Sequence, residues 1–150
     1  VKIIFICLGN ICRSPIAEGV AKNLVKERNL DYTIKSAGTG SWHIGDAPCP
    51  DSIKIAKQRG VDISKQRAKQ VTQDDFREFD LIIALDSKNK ADLDKINPTD
   101  KEVILLGSFG FDGADVPDPY FFDGFEGFDK VFDMIETAVT NLFDEIEKKD

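Results

Sequence analysis

VKIIFICLGNICRSP (residues 1–15) joins an unbroken apolar run to a glycine turn and then to a Ser-Pro pair. Ile3, Ile4, Phe5 and Ile6 show no polar alternation, which predicts a strand over Val1 to Leu8 that is buried on both faces. Ser14 reads as a helix N-cap with Pro15 at the first helical position, and Ile16, Val20, Leu24 and Val25 follow at helical spacing. A strand covered on both faces and followed at once by a helix is the opening unit of a parallel sheet. Within the turn, Cys7 and Cys12 admit three readings: a metal pair, a redox couple, or one nucleophile beside a bystander.

Strand and helix signals alternate through the rest of the chain. Tyr32 to Ser36 reads as a second strand, and the stretch AGTGSWHIGDAPCP (residues 37–50) as a long loop. Pro50 opens a helix that Gly60 stops, and Thr72 with Asp75 forms a capping-box pattern before a short helix. Asp80 to Leu85 is a third apolar strand, Ser87 to Ile96 a helix ended before Pro98, and Val103 to Leu106 a fourth strand. A loop rich in Gly, Asp and Pro follows from Gly107 to about Asp123. The apolar stripe Phe125, Phe128, Phe132, Ile135, Val139, Leu142 and Ile146 then predicts one core-covering helix. No repeat, linker or low-complexity tract interrupts this alternation, so residues 1–150 read as one domain. The expected fold class is α/β: a four-stranded parallel sheet, order 2-1-3-4 (flavodoxin-like), flanked by helices on both faces. In such a sheet ligands bind beyond the C-terminal ends of the strands at the switch point, which is where residues 7–15 fall.

Composition narrows the partners. A hydrophobic share of 41% and a charged share of 31% suit a soluble domain, and the net charge of −7 argues against generic binding to nucleic acid or anionic membrane. The first eight residues are too short for a secretory signal and show no cleavage pattern. Three cysteines cannot close a complete disulfide framework, and the expected compartment is a reducing cytoplasm.

The strand-to-helix loop suggests an anion cradle. Backbone N–H groups in such a loop turn inward, and the helix dipole adds partial positive charge. Gly9 and Asn10 are the residue types that best tolerate the positive φ of a tight concave loop. Arg13 can clamp two oxygens of a phosphate, and a cysteine at the strand end would be held as thiolate. A cysteine in a strand is most often a small buried hydrophobe, but Cys-x5-Arg-Ser at a strand–loop–helix junction has few structural reasons to exist. Zinc is disfavoured by the spacing of the pair and by a single histidine, His43. A nucleotide P-loop is excluded by the absence of Gly-Lys-Ser/Thr.

Phosphoryl transfer from an ester also needs a proton for the leaving oxygen. Asp118, stiffened between Pro117 and Pro119 and placed after the fourth strand, is the candidate acid. Tyr120, Phe121 and Phe122 are candidate walls for a ring-bearing substrate, or core.

With these residues in place the chain resembles the low-molecular-weight protein tyrosine phosphatases. Cys7-Leu-Gly-Asn-Ile-Cys-Arg-Ser-Pro15 matches that family's signature at every position. Ser36-Ala-Gly-Thr followed by Trp42, Gln70-Val-Thr, Ala84-Leu-Asp86 and Asp118-Pro-Tyr120 fall in family order over essentially the whole chain. The resemblance implies a protein-tyrosine-phosphatase that uses no cofactor and no metal. In it Cys7 attacks phosphorus, Arg13 and the loop Leu8, Gly9, Asn10, Ile11, Cys12, Arg13 and Ser14 hold the phosphate, and Asp118 acts as acid and then base. It further implies that Cys12 is a redox thiol able to pair with Cys7, and that Asn10, Ser14 and Ser36 support the loop. Leu8, Ile11, Trp42, Tyr120 and Phe121 would form the substrate pocket. The implied partners are phosphotyrosine-containing proteins or small aryl phosphates, acted on by a monomer, with weak self-association as the alternative. Two positions depart from many relatives: Gln66 stands where a loop-linked histidine is common, and Phe121 where a second tyrosine is common.

Two rival readings use the same loop. Arsenate reduction would need relay cysteines near the third strand, where residues 84–91 have none; Cys49 lies on another loop and reads as an ordinary thiol between two prolines. A non-catalytic phosphate-binding module would need neither nucleophile nor acid.

Overall fold

The structure, a computed structural model, describes residues 1–122 and 124–149; the side chain of Phe121 lies outside the described set. Four parallel strands, β1 (Lys2–Cys7), β2 (Thr33–Gly38), β3 (Leu81–Ala84) and β4 (Val103–Leu105), form one sheet in the order β2-β1-β3-β4. The helices are α1 (Arg13–Glu27), α2 (Pro50–Gln58), α3 (Gln73–Glu78), α4 (Ser87–Ile96) and α5 (Glu126–Lys149). The predicted order therefore holds, and the boundaries of α4 are those read from the sequence.

The unbroken apolar run of β1 is explained by its two buried faces. Ile3, Phe5 and Cys7 pack into the larger cluster with α1, α2 and α5, whereas Ile4 and Ile6 pack with Phe76, Phe79 and Leu93 of the opposite layer. β1 pairs with β2 on one side and β3 on the other, so the chain leaves it at the point where strand order reverses. Residues 8–12 occupy that point.

Helix α5 buries Phe128, Val131, Phe132, Ile135, Val139, Leu142 and Phe143 against this chain's own core, which accounts for the apolar stripe. Each such side chain contributes about 1.5–3 kcal/mol when fully buried. The ion pairs that flank the helix, Arg28 with Asp144 and Glu147 and Arg59 with Asp129 and Asp133, are partly exposed and contribute at most about 1 kcal/mol each. Burial decides where α5 sits. The Thr72–Asp75 capping box forms as expected, with Thr72 N–H donating to the Asp75 carboxylate at 2.9 Å. Among the described residues no helix is long and apolar enough to cross a membrane.

Candidate active site

The loop after β1 turns its carbonyl groups outward onto the scaffold. The Leu8 carbonyl accepts from the N–H of Gly40 (2.9 Å), that of Ile11 from the N–H of Cys49 (2.8 Å), and that of Cys12 from the Ser52 hydroxyl (3.1 Å). The N–H groups of Leu8, Gly9, Ile11 and Cys12 make no such bond to the described residues. A loop with three carbonyls engaged on the scaffold and four N–H donors unspent, running into a helix N-terminus, is suited to hold an anion.

Local backbone chemistry explains this shape, with two corrections. Asn10 takes the left-handed conformation expected of it (φ +57°), but Gly9 does not, and its smallness serves packing instead. A Cβ on Gly9 would lie 3.1 Å from the His43 ring. Nor is Ser14 the helix cap that the Ser-Pro pair predicts. The helix begins at Arg13 with Cys12 in the cap position and no side-chain cap bond, because the Ser14 hydroxyl is spent inside the loop.

That hydroxyl lies 3.0 Å from Cys7 Sγ, and the Asn10 N–H donates to the same sulfur at 3.3 Å. Ser14 accepts from the Asn10 side-chain amide (2.8 Å), so its own proton is available to Cys7. Asn10 also donates to Ser36 (2.9 Å) and accepts from the Lys69 N–H (3.0 Å). Ser36 in turn donates to Glu18 (2.7 Å), a buried carboxylate whose other oxygen takes the Lys22 ammonium. Five residues from β1, the loop, α1 and β2 thus form one hydrogen-bonded chain ending on the Cys7 sulfur. A buried polar network of this kind specifies a single geometry when its members are satisfied. Glu18 was not legible as a participant, since nothing in its spacing marks it.

Arg13 is held by two partners on one nitrogen: Asp86 Oδ2 at 2.7 Å and the Val116 carbonyl at 2.9 Å. The pair is nearly buried, with side chains 9% and 18% exposed. Asp86 uses its other oxygen to cap α4 through the Asn89 N–H (2.7 Å), so a helix terminus aims the carboxylate that aims the arginine. Cys7, Leu8, Gly9, Ile11, Cys12, Arg13, Trp42, His43, Asp118 and Tyr120 line a single hollow of about 210 Å³. Cys7, Arg13 and Asp118, read separately from the sequence as candidate nucleophile, clamp and acid, converge there. A larger hollow of about 400 Å³, lined by Glu18, Lys22, Lys35, Ser36 and Arg67, is not lined by Cys7, Arg13 or Asp118.

Asp118 is exposed, and its carboxylate accepts the Tyr120 N–H at 2.9 Å. Trp42 and Tyr120 are 72% and 61% exposed at the mouth, and Leu8 and Ile11 form the wall. The Tyr120 hydroxyl is held above the ordinary tyrosine range, first by partial desolvation and then by the Asp51 and Asp118 carboxylates. It therefore stays uncharged beside an incoming anion. The expected contribution of the Phe121 ring lies outside the described residues. His43, the single histidine of the chain, lies against Gly9 with its ring nitrogen 3.1 Å from Asp46.

The reading of Cys49 as an ordinary thiol needs correction. Cys12 is bonded to Cys49, with Cα atoms 5.4 Å apart, and Cys7 is the free thiol. The cause is the Cys49 N–H bond to Ile11, which draws the start of α2 against the loop; Cys49 is no bystander. Gln66 does not join the loop network. Its amide donates to the Pro15 carbonyl in α1 (3.0 Å), and its buried oxygen finds no partner among the described residues.

Comparison with known proteins agrees with this geometry. Residues 2–150 match the family described as Low molecular weight phosphotyrosine protein phosphatase. The chain is 38% identical to Low molecular weight protein-tyrosine-phosphatase PtpA of Staphylococcus aureus, over 99% of this chain and 95% of that protein. The crystal structure of a protein tyrosine phosphatase from Entamoeba histolytica superposes with a TM-score of 0.92 at 35% identity, covering 99% of this chain and 98% of the other. The Drosophila arginine phosphatase structure gives a TM-score of 0.92 at 32% identity, covering 100% of both chains. The chain belongs to the low-molecular-weight phosphotyrosine protein phosphatase family.

Proposed function

We propose that this chain hydrolyses aryl phosphate monoesters, phosphotyrosine in proteins foremost, through a phosphocysteine intermediate on Cys7. The observation that carries this reading is the Cys7 sulfur, held by the Asn10 N–H and the Ser14 hydroxyl in a hollow shared with Arg13 and Asp118. The residues take the following roles. Cys7 thiolate attacks phosphorus opposite the leaving oxygen, an S–P bond forms and the P–O bond to the phenol breaks. Arg13 and the unspent amides of the loop bind the three equatorial oxygens, whose charge is greatest in the transition state. Asp118 gives its proton to the departing phenolate. Its carboxylate then takes a proton from a water that attacks phosphorus, the S–P bond breaks, and phosphate and the Cys7 thiolate are regenerated.

The mouth favours a flat ring: Trp42 and Tyr120 stand on its rim, and the Tyr120 ring is fixed by an edge-on contact with Phe128, centroids 5.3 Å apart. We place the protein in the cytoplasm as a monomer needing no metal, cofactor, nucleic acid or membrane, because the net charge is −7 and Cys7 must remain a thiol to react.

The test is a rapid-mixing experiment with nitrophenyl phosphate in the presence of a chelator. A burst of nitrophenol equal to the enzyme concentration, followed by steady turnover, is expected. A parallel assay with phosphotyrosine and phosphoarginine peptides distinguishes the two activities named among similar structures. Faster release from phosphoarginine would overturn the substrate assignment and leave the cysteine mechanism standing.

A further inference from the structure

Beyond phosphate transfer, we propose that Cys7, Cys12 and Cys49 form a peroxide-reducing thiol relay. In this relay oxidation enters at Cys7 and ends as the Cys12–Cys49 disulfide, returning Cys7 as a thiol. The proposal rests on Cys7 being the reactive thiol of the reaction above, and gives Cys49 a role that phosphate chemistry does not require. The end state of the relay is the arrangement observed, with Cys12 bonded to Cys49 and Cys7 free.

Cys7 shares a hollow with Cys12, and Cys12 is bonded to Cys49. Cys7 and Cys12 line the same small hollow, so the second thiol faces the space in which the first reacts. Two hydrogen bonds that do not involve the sulfurs also hold Cys49 beside Cys12. The Cys49 N–H donates to the Ile11 carbonyl (2.8 Å), and Ser52 one turn on donates to the Cys12 carbonyl (3.1 Å). These bonds bridge the sequence separation of 37 between the two cysteines independently of the disulfide, giving Cys49 a high effective concentration at Cys12. Pro48 and Pro50 on either side of Cys49 restrict its backbone further. Each of the pair sits at a helix cap, Cys12 on α1 and Cys49 on α2.

Cys7 thiolate attacks a peroxide oxygen, the O–O bond breaks, and Cys7 sulfenic acid and an alcohol or water form. Cys12 thiolate attacks the Cys7 sulfur, an S–S bond forms, the S–O bond breaks, and hydroxide leaves as water with a proton from solvent. Cys49 thiolate then attacks the Cys12 sulfur and Cys7 leaves as thiolate. One peroxide is reduced by two electrons from Cys12 and Cys49. In the last step the Cys7 sulfur leaves into a position where an amide N–H and a hydroxyl already bond it. Small peroxides reach Cys7 through the hollow. External thiols reach the finished disulfide through Cys12, which is less buried than Cys49.

Peptide mapping of thiols, independent of turnover, tests this. Fully reduced enzyme, freed of reductant under argon, is given one equivalent of hydrogen peroxide, quenched over time with iodoacetamide, and digested for mass spectrometry. The expected product is the Cys12–Cys49 disulfide with Cys7 alkylated. Cys49→Ser is expected to stop at Cys7–Cys12 and to lose activity until dithiothreitol is added. In Cys7→Ser the Cys12–Cys49 bond is expected to form several-fold more slowly, because the entry thiol is gone. Equal rates in Cys7→Ser and the unaltered protein would overturn the relay by showing direct oxidation of the pair. Cys7 sulfinic acid in the unaltered protein at one equivalent would overturn it as well. If phosphatase activity is absent but this mapping is obtained, the reading of the reaction fails and the relay stands.

Discussion

Residues 8–12 and residues 107–122 both run beyond the carboxyl ends of the strands, yet they are held very differently. The first segment is bonded by residue 40 after β2, by Cys49 and Ser52 at the start of α2, and by Lys69, and its own Asn10 joins Cys7, Ser14 and Ser36. The second is anchored near its middle, where the Val116 N–H donates to Leu85 and Ser87 donates to Asp115. Beyond that point the Asp118 carboxylate accepts only the Tyr120 N–H, two residues on, among the described residues. A nucleophile has to be aimed before the substrate arrives, because misplacement by even an ångström weakens attack. An acid has to meet a leaving oxygen that differs from substrate to substrate, so exposure suits it. Damage to the first segment should therefore cost all substrates alike, whereas damage to the second should scale with the leaving group.

The largest effect expected is from Cys7→Ser. Turnover of nitrophenyl phosphate should fall to background while phosphate still binds in a titration calorimeter, and residual turnover above background would refute the nucleophile assignment. Asp118→Ala should lose about 10² to 10⁴ in kcat. The loss should grow as the leaving phenol becomes more basic; a flat dependence across a series of aryl phosphates would remove the acid role and with it the contrast between the segments.

Asp86→Asn tests whether the clamp is aimed from α4. Losing a charge-assisted bond of about 1.5–3 kcal/mol should lower kcat/KM by about ten- to a hundredfold for good and poor leaving groups equally. No change would mean that the Val116 carbonyl suffices to position Arg13. Gly38→Ala probes the bracing itself, since a Cβ there would lie 2.8 Å from the Leu8 carbonyl oxygen and 3.1 Å from the Asn10 nitrogen. Overpacking of this kind destabilises by about 1–3 kcal/mol, readable as a lowered Tm together with reduced activity. The smallest effect belongs to Tyr120→Phe. The phenol is raised in pKa, so it is neutral below the ordinary tyrosine range and ionises only above it. The pH–rate profiles of the two proteins should coincide up to pH about 10, and divergence below that would show a phenolate at the mouth.

Legibility followed range. Unbroken apolar runs in β1 and β3 announced strands covered on both faces, and Thr72 with Asp75 announced a helix start, because each signal lies within one element. Cys7, Asn10 and Arg13 were legible for the same reason, lying on one turn. Ser14 was misread because a local cap and a tertiary hydrogen bond compete for one hydroxyl, and the buried bond to Asn10 and Cys7 wins. Gly9 was misread because two causes, positive φ and close packing, leave the same residue in a sequence.

What the chain's order of residues determined by itself was the alternation of elements, the sheet order it implies, and a loop with a thiol at one end and a guanidinium at the other. Partners that come from far along the chain were decided only by tertiary structure. Asp86 reaches Arg13 across 73 positions and Cys49 reaches Cys12 across 37. Glu18 meets Ser36 only because α1 packs beside β2. The reason is physical: hydrophobic periodicity is written residue by residue, whereas a hydrogen bond or disulfide between distant segments exists only once burial has brought their backbones together.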